Sequence, residues 1–308
     1  MSSPFSPPLS GIPEVPFEEL VEHATANLPD LPSDPREILF ALDIDGTFVY
    51  PQKTRSGQPE SIVAASARVK EVLLEVRKLG MTVVVATGRG MSATAPVIRQ
   101  TGLSDSWAIC SNGALTIQWP EKPAVRVKHE FDPREVAEGV LEVLPDALFA
   151  VDGEMEGLHV SQPFPPGELF HHVDLGSVEA VINNPTTKLV VRAPNLTRDD
   201  FVRAMELVPT GDLEVSIGWT AWADIGPAGV TKASALASLA DHLEKPKSGT
   251  IAIGDGANDI AMLSWARLGV AMGSASQEVV DAANMQTGPV EHDGAAAVML
   301  AVARAYGA

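Results

Sequence analysis

Residues 39–48 read LFALDIDGTF, and the reading of this stretch decides the fold. Ile38 to Leu42 form a short, continuous apolar run, the pattern of a strand buried on both faces of a parallel sheet. The run ends in Asp43 and Asp45, one residue apart, followed by Gly46 and Thr47. Two carboxylates at the mouth of a buried strand repel each other and resist desolvation, so something must compensate them. Three further stretches share this grammar: MTVVVA runs into Thr87-Gly88-Arg89, WAIC into Ser111-Asn112-Gly113, and TIAI into Gly254-Asp255-Gly256-Ala257-Asn258-Asp259. Between the first two strands, SIVAASARVKEVLLEVRKLG sets Ile62, Val69, Val72, Leu73, Val76 and Leu79 at helical spacing, with Gly80 as a stop.

Strand, helix, strand is the parallel crossover unit. The expected fold class is therefore α/β, with a doubly wound, mostly parallel, Rossmann-like core sheet. From about Leu115 to Ile225 the pattern changes. Strand-like AVRVKHEF, ALFAVD, LHVSQ, TKLVVRAP and DLEVSIGW alternate with helix-like PREVAEGVLEVL and TRDDFVRAMELV, which predicts a separate α+β domain inserted into the first. Beyond it, GVTKASALASLADHL is a helix with Leu236, Leu239 and Leu243 inward, and LGVAM is a further strand. The expected division is an N-terminal extension over 1–37 with one helical pattern in PFEELVEHATANL, a core over 38–115 and 227–308, and an inserted α+β cap over 116–226.

The chain has 308 residues, longer than the usual single compact domain, and is 45% hydrophobic, enough for a sizeable core. Its 22 Lys and Arg against 40 Asp and Glu give a net charge of −18, which argues against a nucleic-acid or anionic-membrane partner. Any anionic ligand must be held by local positive groups. One cysteine, Cys110, excludes an intrachain disulfide and suits a reducing cytosol, so a cytoplasmic location is expected. The opening MSSPFSPPLSG lacks the basic flank and apolar run of a signal peptide. The late apolar stretch GAAAVMLAVARAYGA is short and interrupted by Arg304, a core helix and not a membrane span.

In a parallel sheet the four polar clusters lie along one edge, where open α/β folds bind ligands. Asp43, Asp45, Asp255 and Asp259 gathered there disfavour one another's ionisation unless a cation sits among them. Oxygen ligands without paired His or Cys at metal spacing point to Mg²⁺. The glycines permit tight turns whose following helix starts offer backbone N–H groups to phosphate, and Thr87 adds a hydroxyl. Lys232 falls in the first turn of its helix, where the macrodipole disfavours a cation and a phosphate neighbour reverses that penalty.

DIDGT, ATGR, GVTKASAL and GDGAND, in that order, resemble the four motifs of the haloacid dehalogenase-like (HAD) hydrolases, across roughly residues 38 to 308. The large insertion between the second and third motifs, with CSNGA, is similar to class IIB, the Cof-type phosphatases. The resemblance implies a Mg²⁺-dependent phosphatase of small phosphorylated metabolites working in two steps. Asp43 is then the nucleophile that forms an aspartyl-phosphate, and Asp45 the acid for the leaving alcohol and the base for water. Thr87 and Lys232 hold the transferring phosphoryl oxygens. Asp43, the backbone carbonyl of Asp45 and Asp255 ligate Mg²⁺, with Asp259 direct or through water, and Asn258 orients that set. Gly46, Thr47, Gly88, Arg89 and Asn112 belong to the same phosphate- and substrate-binding edge, with structural anchoring of the turns the alternative for Arg89 and Asn112.

Other residues read more plainly. Cys110 is a buried small hydrophobe, and His171-His172 a surface or cap-lining pair without a third ligand. Trp219 and Trp222 read as packing before a stacking platform, and Arg126, Lys188 and Arg192 as mostly solvated positions on cap strands, with one able to reach an anionic substrate as the alternative. Lys232 as a solvated lysine is the plain alternative to its site role. A phosphomutase or other phosphotransferase on the same scaffold, or a non-catalytic metabolite binder, are the competing functions. Sugar phosphates, phosphorylated cofactors and phosphoglycerate-type esters remain open as substrates.

Overall fold

The four polar-tipped strands do lie side by side. The computed structural model describes residues 15–49, 65–119, 123–166, 168–169 and 173–308. Helix α1 (Phe17–Ala26) leads through a short turn to β1 (Leu39–Leu42), and α2 (Ala67–Lys78), β2 (Thr82–Ala86), α3 (Met91–Thr101) and β3 (Trp107–Cys110) follow. Ser66 starts α2 by accepting a hydrogen bond from the Val69 N–H at 3.0 Å, and Gly80 ends it at φ +82°. Ile62, expected on this helix, lies outside the described residues.

Next come β4 (Leu115–Gln118) and β5 (Ala124–Lys128), and here the expected domain boundary needs correction. The alternation in AVRVKHEF predicts a cap strand, yet β5 pairs antiparallel with β4, and β4 with β3, so both extend the core sheet. Alternation alone says that residues 124–128 are extended. The neighbouring strand that supplies hydrogen bonds decides the sheet. Arg126 accordingly lies on a core strand, bonded to Gln118 at 2.6 Å and 3.1 Å.

The insertion proper comprises α4 (Arg134–Val143), β6 (Leu148–Asp152), β7 (Leu158–Val160), β8 (Val173–Leu175), α5 (Val178–Ile182), β9 (Leu189–Arg192), α6 (Arg198–Met205), β10 (Glu214–Ile217) and β11 (Trp222–Gly226). The core resumes with α7 (Lys232–His242), β12 (Thr250–Gly254), α8 (Ile260–Trp265), β13 (Leu268–Ala271), α9 (Gln277–Ala282), β14 (Met285–Gln286) and α10 (Gly294–Ala305).

The core sheet has the order β14-β13-β12-β1-β2-β3-β4-β5, with every pair from β14 to β3 parallel. Strand β1 sits centrally, flanked by β12 and β2, which is why its run is apolar throughout. Phe40 and Leu42 pack on one face with residues of α2, α3 and α10, while Leu39 and Ala41 face the layer built from α7, α8 and α9. Leu20, Val21 and Ala24 of α1 are buried in the first of these layers, so the helical part of the N-terminal extension is packed on the core. No helix among the described residues is long and apolar enough to cross a membrane.

The second sheet has the order β10-β11-β9-β6-β7-β8 and is largely antiparallel. Its period-2 alternation separates two surfaces. Phe149, Val191, Ala223 and Ile225 pack under α4, α5 and α6. The opposite set, including Asp152, Lys188, Trp222 and Asp224, is turned toward the polar edge of the core, as the hydrogen bonds of Ser111 to Asp152 and Lys188 to Gly88 establish.

Candidate active site

The sequence of β1 leaves the sheet at Asp43, whose N–H still donates to the Ile253 carbonyl of β12. After Ile44 the chain turns, and Gly46 adopts φ +76°, a left-handed conformation that glycine takes without strain. A Cβ there would lie 2.4 Å from Asp255 Oδ2, so the turn also requires the missing side chain for close approach. The turn breaks strand alternation and lets Asp43 and Asp45 line one cleft of about 390 Å³ together with Thr87, Gly88, Arg89, Asp255 and Asn258.

The compensation demanded by the paired aspartates is built from two cations. Lys232 is 1% exposed, and its Nζ donates at 2.7 Å both to Asp43 Oδ1 and to Asp259 Oδ1. The solvated alternative for this lysine is thereby excluded. Arg89 grips both carboxylate oxygens of Asp45, with Nε donating to Oδ2 at 2.7 Å. The opposite oxygen of Asp259 accepts from the N–H groups of Asp255 and Gly256 at 3.0 Å and 2.9 Å, locking the GDGAND turn onto Lys232.

Four carboxylates against Lys232 and Arg89 leave a formal charge of −2, which one divalent cation would balance. Carboxylate oxygens of Asp43, Asp255 and Asp259 lie within 4.8 Å of one another, and all three residues are buried. Burial pushes Asp43 up to about 7, opposed by the charge of Lys232 and reinforced by Asp259 and Asp45. Burial, then the charges of Asp43 and Asp259, hold Asp255 well above the ordinary carboxylate range. Burial would lower Lys232, but Asp259 and Asp43 outweigh it and raise the ammonium above its usual value. Such a cluster of oxygen donors fits a hard divalent ion, which would relieve the carboxylates' mutual repulsion.

The other expected residues divide. Thr87 is buried at the cleft wall, where its Oγ1 accepts from the Arg89 N–H at 3.1 Å. Asn258 Nδ2 donates to Asn112 Oδ1 at 2.9 Å, tying the GDGAND turn to the CSNGA turn. Asn112 adopts φ +55° and lines an adjoining chamber of about 300 Å³. Thr47 is buried with its hydroxyl unpartnered and does not line the cleft. The carboxylate of Asp45, held by Arg89, stands outside the group of Asp43, Asp255 and Asp259.

A family model described as haloacid dehalogenase-like hydrolase matches residues 40–149 and 167–299. The chain belongs to this family of hydrolases. It is 28% identical over 272 residues to pyridoxal phosphate phosphatase YbhA of Escherichia coli (strain K12), covering 81% of this chain and 93% of that one. Over 283 residues it is 26% identical to 5-amino-6-(5-phospho-D-ribitylamino)uracil phosphatase YitU of Bacillus subtilis (strain 168), covering 84% and 94%. Its fold is similar to that of the HAD subclass IIB sugar phosphatase BT4131, with a TM-score of 0.69 at 24% identity over 85% of this chain and 98% of that one. The resemblance carried by the four motifs is thus upheld.

This HAD-like hydrolase also holds residues at its site that the sequence reading set aside. Lys188, expected to be solvated, is buried; its Nζ donates at 2.7 Å to the carbonyl of Gly88, next to Thr87, and lies 3.4 Å from Asp224 Oδ2. Asp224 further accepts from Asn112 Nδ2 at 3.4 Å and Trp222 Nε1 at 3.0 Å. Ser111 Oγ donates to Asp152 Oδ2 at 2.9 Å. These bonds carry the inserted sheet onto the polar edge of the core sheet. The signal for them was the polar phase of the alternation in TKLVVR and AWADIG, which marks a face but not what it meets. Arg192 is likewise buried, paired with both oxygens of Glu168 at 2.7 Å and 2.9 Å. Trp222 packs edge-on to Phe164, as expected, and also borders the cleft, as does Trp219. Cys110 is buried, donates to Thr94 Oγ1, and its thiol is pushed up to about 12 by burial. His171 and His172 lie outside the described residues.

Proposed function

We propose that this hydrolase is a Mg²⁺-dependent phosphatase that releases phosphate from monoesters of small metabolites through an aspartyl-phosphate on Asp43. The observation that carries the reading is the convergence of Asp43, Asp255 and Asp259 within 4.8 Å of one another, with the buried Lys232 bridging Asp43 and Asp259 and with Asp43 and Asp255 lining the cleft. The phosphatase names of two relatives aligned over four-fifths of the chain support it.

Asp43, Asp255 and the backbone carbonyl of Asp45 would hold the metal, with Asp259 reaching it directly or through water. A bound divalent cation supplies positive charge that keeps Asp43 ionised and offsets the charge of the phosphoryl group. Asp259, both of whose oxygens are already engaged by Lys232 and two N–H groups, serves chiefly to hold Lys232 and the turn.

In the first step a carboxylate oxygen of Asp43 attacks phosphorus, the bond from phosphorus to the alcohol oxygen breaks, and Asp45 gives that oxygen a proton. In the second, water attacks the same phosphorus, the bond to Asp43 breaks, and Asp45 takes the proton from the water. Both oxygens of Asp45 are held by Arg89 in this structure, so the pair must open first. A phosphate entering beside Thr87 competes for the Arg89 guanidinium and releases Asp45 for the proton transfers. Thr87 and Lys232 position the phosphoryl oxygens, a task in which placement and charge matter most.

The test is a panel of phosphate monoesters assayed for free phosphate with and without EDTA, alongside Asp43→Asn. Metal-dependent phosphate release that is lost in the variant supports the reading. Isomerised product without free phosphate indicates a phosphomutase, and turnover by Asp43→Asn, shown not to come from deamidation, removes Asp43 from the nucleophile's role.

A further inference from the structure

The cap side of the cleft carries an indole face and a solvent-exposed arginine, both lining the same cavity. Trp219 lies just past the end of β10 and lines the cleft half-buried, and no ring or cation among the described residues stacks on it. Its neighbour Trp222 is committed otherwise, its Nε1 donating to Asp224 and its ring edge-on to Phe164. Arg198 begins α6 and lines the same cleft; its Nε donates at 3.0 Å to the carbonyl of Gly218, the residue before Trp219. That bond ties the Arg198 side chain to the backbone adjoining Trp219.

Charge sharpens the contrast. Five carboxylates line the cleft, those of Asp43, Asp45, Asp224, Asp255 and Glu278, against two arginines. Arg89 is gripped by Asp45, whereas Arg198 is exposed and, among the described residues, its one carboxylate neighbour is the exposed Asp199 at 4.0 Å. The metal cluster and Thr87 account for the ester's phosphate. Nothing yet accounts for the indole face of Trp219 or for the terminal N–H groups of Arg198 at the same cleft.

We infer that Trp219 and Arg198 form a subsite for the leaving group, and that the preferred substrate is the phosphate ester of an alcohol bearing a flat ring with an oxygen acceptor or anion on its edge. The ring stacks on the indole, and the terminal N–H groups of Arg198 donate to the ring oxygen. Stacking on an aromatic face and a charge-assisted hydrogen bond are separable contributions, and each discriminates against a flexible polyol of similar size. The inference rests on the phosphatase reading for its reaction but on the cap wall for its selectivity. It accords with the ring-bearing substrates named for the two relatives, a pyridoxal and a ribitylaminouracil ester.

The test compares pyridoxine 5′-phosphate, a hydroxypyridine ester with no aldehyde to react with lysines, and glucose 6-phosphate. They are assayed on the wild type, Trp219→Leu, Arg198→Gln and Arg198→Lys. The wild type is expected to favour the ring ester in kcat/KM. Trp219→Leu and Arg198→Gln should each raise KM for that ester by about five- to tenfold with kcat within about twofold, and raise KM for the sugar ester clearly less. Arg198→Lys should recover part of the loss, since it keeps the charge without the planar fork. Equal effects on both esters, or a wild type that prefers the sugar, overturn the inference while leaving the phosphatase reading intact. Binding is read separately, as saturable quenching of indole fluorescence by pyridoxine 5′-phosphate on Asp43→Asn. That quenching should be largely lost when Trp219→Leu is added; no quenching, or quenching unchanged without Trp219, overturns the subsite even for a protein that turns nothing over.

Discussion

Replacing the proposed nucleophile should make the metal-free protein more stable, and by an amount that depends on pH. In Asp43→Asn the side chain keeps an oxygen for Lys232 and loses a charge that burial disfavours. The carboxyl of Asp43 moves from an ordinary value of 3.8 to about 7 on folding. A carboxyl raised in this way favours the fold while protonated, below its unfolded value, and that contribution is lost as pH rises through the folded value. Linkage over these two values puts the ionisation penalty at about 4 kcal/mol near pH 8 and about 2 kcal/mol near pH 5. Asparagine does not titrate, so the stability difference between variant and wild type should shrink by roughly 2 to 3 kcal/mol between those pH values, whatever its absolute size. The assay is denaturant unfolding of both proteins in EDTA at each pH, following the core transition. Repeating it with Mg²⁺ should narrow the gap at the higher pH, because the wild type then gains a counter-charge that the variant binds less well. A variant less stable than wild type in EDTA near pH 8, or a gap that does not contract on acidification, would refute the claim that Asp43 is held at an electrostatic penalty.

Three further outcomes follow from the geometry. Lys232→Met removes the one ammonium shared by Asp43 and Asp259; with two buried carboxylates uncompensated it should destabilise the metal-free protein by about 3 to 5 kcal/mol and be partly rescued by added Mg²⁺, both readable from thermal melts. Gly46→Ala puts a Cβ 2.4 Å from Asp255 Oδ2 at φ +76°, so displacement of that carboxylate should weaken Mg²⁺ binding, measured calorimetrically, at least about tenfold. Lys188→Met leaves the Gly88 carbonyl and Asp224 without their buried cation; kcat should fall about tenfold or more for ring and sugar esters alike, with Arg at this position restoring part of it, whereas unchanged kinetics would return Lys188 to a purely packing role.

Much of this protein was legible along the chain because its determinants are local or repeat in a fixed rhythm. Apolar runs named the parallel strands, Gly80 ended a helix where expected, and the polar tips named the edge at which chemistry gathers. The paired aspartates of LFALDIDGTF announced an electrostatic problem that needed a counter-charge. Tertiary structure decided who supplies it. Lys232 is 189 residues from Asp43 and Arg89 is 44 from Asp45, and no periodicity spans such distances. The same limit explains the misplaced domain boundary: residues 124–128 alternate identically whether they extend one sheet or another, and only the hydrogen-bonding neighbour differs. It explains Lys188 and Arg192 too, since a charged residue in a strand reads as solvated until a carbonyl or a carboxylate from elsewhere is brought against it. The sequence alone therefore determined which residue types stand at the ends of which strands; the three-dimensional packing alone determined which of them touch, because side-chain pairing depends on distances through space that the order of residues does not encode.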